Sequence, residues 1–199
     1  TLELRAIARE GGVVGQVFVD PADARAIAAF MRRYREAHVY FGVALRRDAT
    51  SGRLDNCSWL PALFADVDSR QYAGGEDEAR AALARAAFPP TAVVASGGGL
   101  HAYWKLKEPL DLSSDADAAK ALLRRLAASV GADLASAEPA HVLRLPNTVN
   151  AKYDPPRNVV LERLEADREY NPSDIDEVLP ADPGPAAAPA AVADGETIR

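Results

Sequence analysis

The segment Leu63–Asp68 reads LFADVD and is the sharpest feature of the chain. In a β-strand, successive side chains point to opposite faces of the sheet. The apolar residues at the odd positions then face a core, whereas Asp66 and Asp68 share the opposite face. Two neighbouring carboxylates at the end of an apolar strand repel each other unless a cation neutralises them. The segment therefore predicts a buried strand that presents a pair of acids at one end.

The acidic pair has two interpretations. Two carboxylates on one rigid strand can bridge a pair of divalent ions about 3.5–4 Å apart, the arrangement used for in-line phosphoryl transfer. A solvated strand end with a turn-forming aspartate also explains the pair, because Asp-x-Asp is a common pattern. The pattern alone leaves both interpretations open.

A glycine-rich turn provides the second feature, since the segment Ser96–Trp104 reads SGGGLHAYW. Three glycines let the backbone adopt positive φ and turn its N–H groups toward an anion. His101 and Tyr103 then share one face of the following strand. A histidine beside such a turn can contact phosphate, whereas a flexible hairpin with a half-buried histidine is the simpler interpretation.

A cluster of hydrogen-bond donors provides the third feature, in the segment His141–Lys152, which reads HVLRLPNTVNAK. Arg144, Asn150 and Lys152 lie within nine residues of one another, and apolar neighbours anchor them. Arginine as a planar fork and lysine as a point charge can together clamp a triphosphate. An ordinary surface strand followed by a turn is the competing interpretation.

The rest of the chain alternates between strand and helix signals. Short apolar or β-branched runs predict strands at 13–19, 38–46, 59–68 (with a break at Pro61), 91–96, 100–106, 142–145 and 159–164. Helical periodicity and capping residues predict helices that start at Asp20-Pro21, Glu76 and Asp115, and a short last helix capped by Asn171. This mixture predicts an α+β fold in which helices pack against a largely antiparallel sheet.

Length and composition set the domain organisation. The chain has 199 residues, of which 48% are hydrophobic and 26% charged, as in soluble globular proteins. The length predicts one domain over 1–180. Residues 181–199 are rich in Ala and Pro, which predicts a linker or disordered tail. The single cysteine, Cys57, excludes an intramolecular disulfide and indicates a reducing, cytoplasmic compartment. No stretch approaches the roughly 18 apolar residues of a membrane span.

The net charge of −6 is unevenly distributed. From Leu164 to Arg199 there are nine acidic and two basic residues, whereas residues 1–163 carry 20 acidic and 21 basic ones. The body of the chain is therefore nearly neutral. Because phosphate binding depends on local clusters of charge, the overall acidity does not exclude a nucleic-acid partner.

The motifs in this order indicate a protein family more specifically than any single motif does. Asp-x-Asp on a strand, SGGGLHAYW, Asp133 and RLPNTVNAK together resemble the archaeo-eukaryotic primase superfamily, and look most like the primase–polymerases of plasmids, phages and mobile elements. The resemblance covers roughly Val13 to Leu164. It implies a catalytic core in which an RRM-like palm sheet with packed helices is joined to an N-terminal αβ unit.

The resemblance implies a metal-binding and catalytic set. Asp66 and Asp68 match the acids that ligate the catalytic metals, and His101 belongs to the catalytic set. Asp133 is the candidate for the third acidic ligand. Asp115, Asp117 and Glu138 are nearby alternatives for that position.

The resemblance also implies a nucleotide-binding set. The residues that match the phosphate-holding motif are Ser96, Gly98, Gly99 and His101, and those that match the triphosphate grip are Arg144, Asn150 and Lys152. Where relatives often read Pro-Gly-Thr, this chain reads Pro146-Asn147-Thr148. Asparagine tolerates left-handed backbone geometry better than most residues, so the turn is expected to survive.

The function implied is template-dependent nucleotidyl transfer by a DNA primase or polymerase with two Mg²⁺ or Mn²⁺ ions. The implied partners are a single-stranded DNA template, a primer and nucleoside triphosphates, with a helicase or other replication domain expected beyond the tail and no membrane. Three alternatives remain: a nucleotide- and DNA-binding replication or defence protein with reduced catalysis, a two-metal nuclease, and an RRM-type RNA-binding module. Residues expected near the nucleotide are Tyr40 and Phe41, for which core packing is the competing interpretation. Residues expected along a template path are Arg32, Arg33, Arg35, Arg46, Arg47 and Arg53; a solvated helix face also explains the cluster from Arg32 to Arg35.

Overall fold

A computed structural model describes residues 1–181, which form eleven strands, four α-helices and two single-turn 3₁₀ helices. The strands are β1 (Leu2–Ile7), β2 (Val13–Val19), β3 (His38–Gly42), β4 (Leu45–Arg46), β5 (Cys57–Asp68), β6 (Ala92–Ala95), β7 (Gly99–Asp111), β8 (Val142–Arg144), β9 (Val149–Asn150), β10 (Arg157–Asn158) and β11 (Val160–Leu164). The helices are α1 (Ala24–Arg33), α2 (Gly75–Arg85), α3 (Leu112–Ser129) and α4 (Pro172–Val178). The predicted tail lies, apart from Ala181, outside the described residues.

Two antiparallel sheets organise these elements. A five-stranded sheet has the order β11-β6-β7-β5-β4, and a four-stranded sheet has the order β2-β1-β3-β8. Strands β9 and β10 form a separate antiparallel pair. Helices and antiparallel sheets in one chain confirm the predicted α+β class.

The central pair of the larger sheet, β5 and β7, confirms the predicted alternation. Leu63, Ala65 and Val67 are buried in the main hydrophobic core, to which α2 and α3 also contribute. The predicted break at Pro61 is wrong, because β5 runs through this residue without interruption. The register with β7 shifts between Leu60 and Ala62, and a proline, which lacks an N–H, is tolerated at such a bulge.

A second, smaller core lies between α1 and the four-stranded sheet and contains Leu4, Phe30 and Val39. The start of α1 differs from the prediction. Asp23 rather than Asp20 caps the helix, because its side chain accepts hydrogen bonds from the first backbone N–H groups of α1. N-terminal N–H groups have no partner within a helix, so such a cap stabilises the helix start.

A buried ion pair joins the two sheets. Glu3 on β1 accepts hydrogen bonds from Arg46 on β4, at 3.0 Å from Nε and 2.7 Å from Nη2, and neither side chain is exposed. Arg46 also donates to the carbonyl of Ala140 at 3.2 Å, just before β8. The expectation that Arg46 lines a template path is therefore wrong, because its guanidinium is buried and paired with Glu3.

Glu3 remains ionised in this environment. Burial alone would raise the pKa of its carboxyl, but hydrogen bonds from Arg5 and Gln16 and the charge of Arg46 outweigh burial and hold the pKa below its usual value. A carboxylate that accepts several hydrogen bonds and faces a guanidinium is stabilised in its charged form.

The backbones of β5 and β7 approach each other closely at Gly99, the first residue of β7. A Cβ at Gly99 would lie 2.2 Å from the backbone oxygen of Val67 on the paired strand. A Cβ at Gly98 would instead meet the hydroxyl of Tyr153, also at 2.2 Å. The first obstacle is fixed by the sheet, whereas the second is the end of a movable side chain.

We predict that Glu3→Gln destabilises the fold strongly. Removing one partner of a buried ion pair leaves the other charge uncompensated, which costs about 3–5 kcal/mol. Urea unfolding should show a loss of about that size. Glu36→Gln is the matched control, because Glu36 forms an exposed pair with Arg9 at 3.3 Å, and such pairs contribute at most about 1 kcal/mol. Equal losses in the two variants would contradict the role assigned to Glu3.

We also predict that Gly99→Ala lowers the free energy of unfolding clearly more than Gly98→Ala does. Gly99→Ala forces the β5–β7 pair apart and should lower the free energy of unfolding by about 1–3 kcal/mol, the usual cost of overpacking. Gly98→Ala should cost less than about 1 kcal/mol, because Tyr153 can turn aside. Thermal and urea unfolding measure both, and a larger loss in Gly98→Ala would reverse the assignment.

Candidate active site

The predicted acidic pair lies at the C-terminal end of β5. Asp66 is opposite His101 of β7, and Asp68 is opposite Gly99. The Nε2 atom of His101 lies 3.7 Å from Oδ1 of Asp66. The structure thus brings the first two predicted motifs together, through the pairing of two neighbouring strands.

Asp133 also reaches this strand end. Its backbone N–H donates to the carbonyl of Asp66 at 2.9 Å, which places the loop after α3 beside β5. Burial raises the pKa of Asp66 to about 6, with further contributions from the charges of Asp133 and Asp68, and Arg144 opposes the shift. A carboxylate whose pKa rises in this way is repelled by its acidic neighbours, and a bound cation would relieve that repulsion.

Two of the three alternative acids, Glu138 and Asp115, already have a partner for one carboxylate oxygen. Glu138 forms an ion pair with Lys120 at 2.5 Å, and Asp115 accepts a hydrogen bond from the N–H of Ala118 at 2.8 Å within α3. Among residues 1–181, no three acidic, histidine or cysteine side chains are already arranged as a metal-binding group. The three acids named from the sequence are therefore near one another but not preassembled.

Asp68 is turned toward Arg70. The two side chains are 2.5 Å apart at Oδ2 and Nη2, and hydrogen bonding from Arg70 lowers the pKa of Asp68. Arg70 is 80% exposed, and exposed ion pairs of this kind contribute little free energy. A stronger cation can therefore displace Arg70 from Asp68.

The glycine-rich turn is held by hydrogen bonds around Ser96. Gly97 has a φ of +86°, which confirms the need for glycine in this turn. The backbone N–H and the hydroxyl of Ser96 both donate to the carbonyl of Gly99, at 2.9 and 3.0 Å. The hydroxyl of Ser69 donates to the carbonyl of Gly98 at 2.9 Å, so the turn is fixed from both sides.

The predicted triphosphate grip divides into two kinds of residue. Asn150 is buried and donates to the carbonyl of Ser96 at 2.9 Å, so it holds the glycine turn in place. Lys152 is exposed, and its charge helps to lower the pKa of Asp68. Asn147 has a φ of +64°, which confirms the expected left-handed turn in this segment.

Arg144 supplies a positive charge from the other sheet. It lies on β8 opposite Tyr40 of β3, and its guanidinium carbon is 4.9 Å from the centre of the Tyr40 ring. Its Nη1 atom is 2.9 Å from Nδ1 of His38. Cation–π contact and hydrogen bonding together hold the guanidinium in a defined place.

A cleft of about 370 Å³ lies between the two sheets. Its polar walls are formed by Asp66, Ser96, His101, Tyr40, His141 and Arg144. Asp66 from β5 and Arg144 from β8 therefore place opposite charges in the same cleft.

His101 is neutral in this cleft. Burial lowers its pKa to about 3, and the charges of Arg144 and His141 act in the same direction. Its Nδ1 atom is buried and has no hydrogen-bond partner within the described part of the chain. Buried polar groups are nearly always paired, so this atom is an exception in the structure.

Two histidines near the cleft were not singled out from the sequence. His141 lines the cleft, whereas His38, at the start of β3, is connected to it only through Arg144. The pairing of β3 with β8 joins segments about 100 residues apart in the chain, and a histidine at a strand start is not a specific signal for such a contact. Tyr40, which the sequence suggested near the nucleotide, does line the cleft.

No helix among residues 1–181 has both the length and the apolar character needed to cross a bilayer. No protein-family model matches the chain. No curated protein matches it in sequence.

Solved structures do match. The AEP domain of the primase–polymerase of cyanophage S-2L superposes with a TM-score of 0.66 at 19% identity, covering 90% of this chain and 89% of that one. Primase RepB′ matches with a TM-score of 0.59 at 16% identity, covering 88% and 55% of the two chains. The catalytic domain of RepB′ in complex with initiator DNA matches with a TM-score of 0.59 at 18% identity, covering 88% and 83%. The chain therefore has the fold of the AEP catalytic domain found in these phage and RepB′ primases.

Proposed function

We propose that this chain is a template-dependent nucleotidyltransferase of the primase–polymerase type. The observation that carries the proposal is the cleft between the two sheets, where Asp66 and Arg144 face the same space. A site for nucleoside triphosphates needs acids for the metal ions and cations for the phosphates. The fold shared with phage and RepB′ primases supports the same conclusion.

The donor set fits a divalent-ion site. Carboxylate oxygens are the ligands that Mg²⁺ and Mn²⁺ prefer. The pKa of Asp66 is raised mainly by burial, and the negative charges of Asp133 and Asp68 add to the shift. Asp66, Asp68 and Asp133 would hold the ions, once Asp68 is released from Arg70. When bound, two such ions lower the pKa of an attacking hydroxyl and stabilise a leaving pyrophosphate.

The chain's own residues position the nucleotide. In the proposed reaction, a primer 3′-oxygen bonds to the α-phosphorus, the bond to the pyrophosphate oxygen breaks, and the hydroxyl proton passes to solvent. Arg144 and Lys152 supply positive charge for the phosphates. His101 lines the cleft and supplies an uncharged hydrogen-bonding group. Catalysis of this kind depends mainly on positioning and charge stabilisation.

Single-stranded DNA is the proposed template. One structural neighbour is a primase domain in complex with initiator DNA. In this chain, Arg47 and Arg53 are exposed and line a second cavity of about 470 Å³. Arginine side chains at such a surface can bind the backbone of a nucleic acid.

We predict that Asp66→Asn abolishes primer extension. Loss of a residue that merely supports a metal ligand costs up to about 100-fold, so loss of a ligand should cost at least that much. The measurement is extension of a labelled primer on a DNA template with Mn²⁺ and nucleoside triphosphates. Asp167→Asn, at an exposed acid in the loop after β11, is the matched control and should extend normally.

The same assay distinguishes the alternatives. Extension by the wild-type chain supports the proposal, and near wild-type extension by Asp66→Asn would remove that residue from the metal site. A chain that binds nucleotides and DNA without extension would be the catalytically reduced form. Degradation of DNA in the absence of nucleotides would identify a nuclease instead.

His101→Asn should act mainly on nucleotide binding. We expect KM for the nucleotide to rise about tenfold while kcat changes little, because a binding contact is lost rather than a catalytic group. Steady-state extension kinetics give both constants, and thermal unfolding shows whether the buried substitution has disturbed the fold. An unchanged KM in a folded variant would exclude His101 from nucleotide binding.

A further inference from the structure

His38 contacts the cationic wall of the cleft without being part of the predicted site. It is the first residue of β3 and is 7% exposed. Its Nδ1 atom lies 2.9 Å from Nη1 of Arg144. Tyr40, two residues along the same strand, places its ring under the same guanidinium at 4.9 Å. One strand therefore provides two separate supports for one arginine.

The contact with Arg144 determines the protonation state and the tautomer of His38. Arginine stays protonated and has only donors, so Nδ1 of His38 must accept and the ring proton must sit on Nε2. Burial lowers the pKa of His38, and the charges of Arg144 and Arg9 lower it further. The ring that faces Arg144 is thus a neutral acceptor.

The contact matters because the guanidinium is itself partly buried. Burial lowers the pKa of Arg144, which reflects the loss of water around its charge. Without His38, one Nη group of Arg144 would lose its acceptor on the protein. The side chain would then have to turn toward water or toward Asp66, the acid that faces it across the cleft.

We propose that His38 is a positioning residue that holds the Arg144 guanidinium in the cleft through a neutral Nδ1 acceptor, and so sets the affinity for the phosphates of the incoming nucleotide. This role rests on the proposed function. His38 does not touch the nucleotide and acts only through Arg144. Its loss therefore weakens binding without changing the chemical step.

The test compares two substitutions of His38 in the whole chain. His38→Leu removes the acceptor, whereas His38→Asn keeps an oxygen near the position of Nδ1. With Mn²⁺ and a nucleoside triphosphate as the probe, we expect His38→Leu to bind about tenfold more weakly, the effect of losing a hydrogen bond to a charged group. His38→Asn should stay within about threefold of wild type, and kcat should be unchanged in both.

A double-mutant cycle tests whether the effect passes through Arg144. His38→Leu should add no loss in a chain that already carries Arg144→Gln, because the two residues act as one unit. Losses that multiply would overturn the proposal, as would a folded His38→Leu variant that binds like wild type. A wild-type chain that binds no nucleotide would overturn the proposed function, and this role with it.

Nitrogen NMR supplies a readout that does not depend on activity. The chain has three histidines, so a two-bond ¹H–¹⁵N spectrum can be assigned with the His38 variants. We expect His38 to show a proton on Nε2 and a bare Nδ1, and this pattern to change in Arg144→Gln. A proton on Nδ1 in the wild-type chain would overturn the proposal.

Discussion

Glu3 and Arg46 hold the two sheets in one arrangement. Both side chains are buried, and a pair of hydrogen bonds joins β1 to β4. The same arginine binds the carbonyl of Ala140, just before the strand that carries Arg144. A buried charge pair adds little net stability compared with apolar packing, but it tolerates few alternative geometries because each charge must find its partner. The pair therefore connects β1 of the smaller sheet, and through Ala140 the chain just before β8, to β4 of the larger sheet.

The cleft combines two kinds of support. Asp66 and His101 are fixed by the main-chain pairing of β5 and β7, which leaves little freedom at the acidic wall. Arg144 belongs to the short strand β8 and depends on side-chain contacts with His38 and Tyr40. Polar networks in a partly buried place are strong only when every member is satisfied. The position of Asp66 is therefore set by backbone hydrogen bonds between strands, whereas the position of the Arg144 guanidinium is set by contacts with a few side chains.

The sequence was most informative where the signal was local. Alternation in the segment around Asp66 predicted its face correctly, and the positive φ at Asn147 followed from residue type. Contacts between distant segments were not visible in this way. Strand β1 was missed because its burial of Glu3 depends on an arginine 43 residues away, and Arg46 was misplaced for the same reason. The approach of Asp133 to Asp66 is made by a backbone hydrogen bond, which side-chain patterns cannot reveal.

The position of β8 has a consequence for the architecture. Three residues from the second half of the chain complete a sheet whose other strands come from the first 42 residues. The two sheets are thus interlocked along the chain. After β1 to β3 of the smaller sheet, the chain forms β4 to β7 of the larger sheet and then returns to the smaller one with β8. If the chain were cut between β4 and β5, the N-terminal fragment would lack the edge strand β8 with its Arg144. The C-terminal fragment would lack the edge strand β4 and the His38 and Tyr40 side chains that contact Arg144. Neither half of the chain therefore contains a complete sheet of its own.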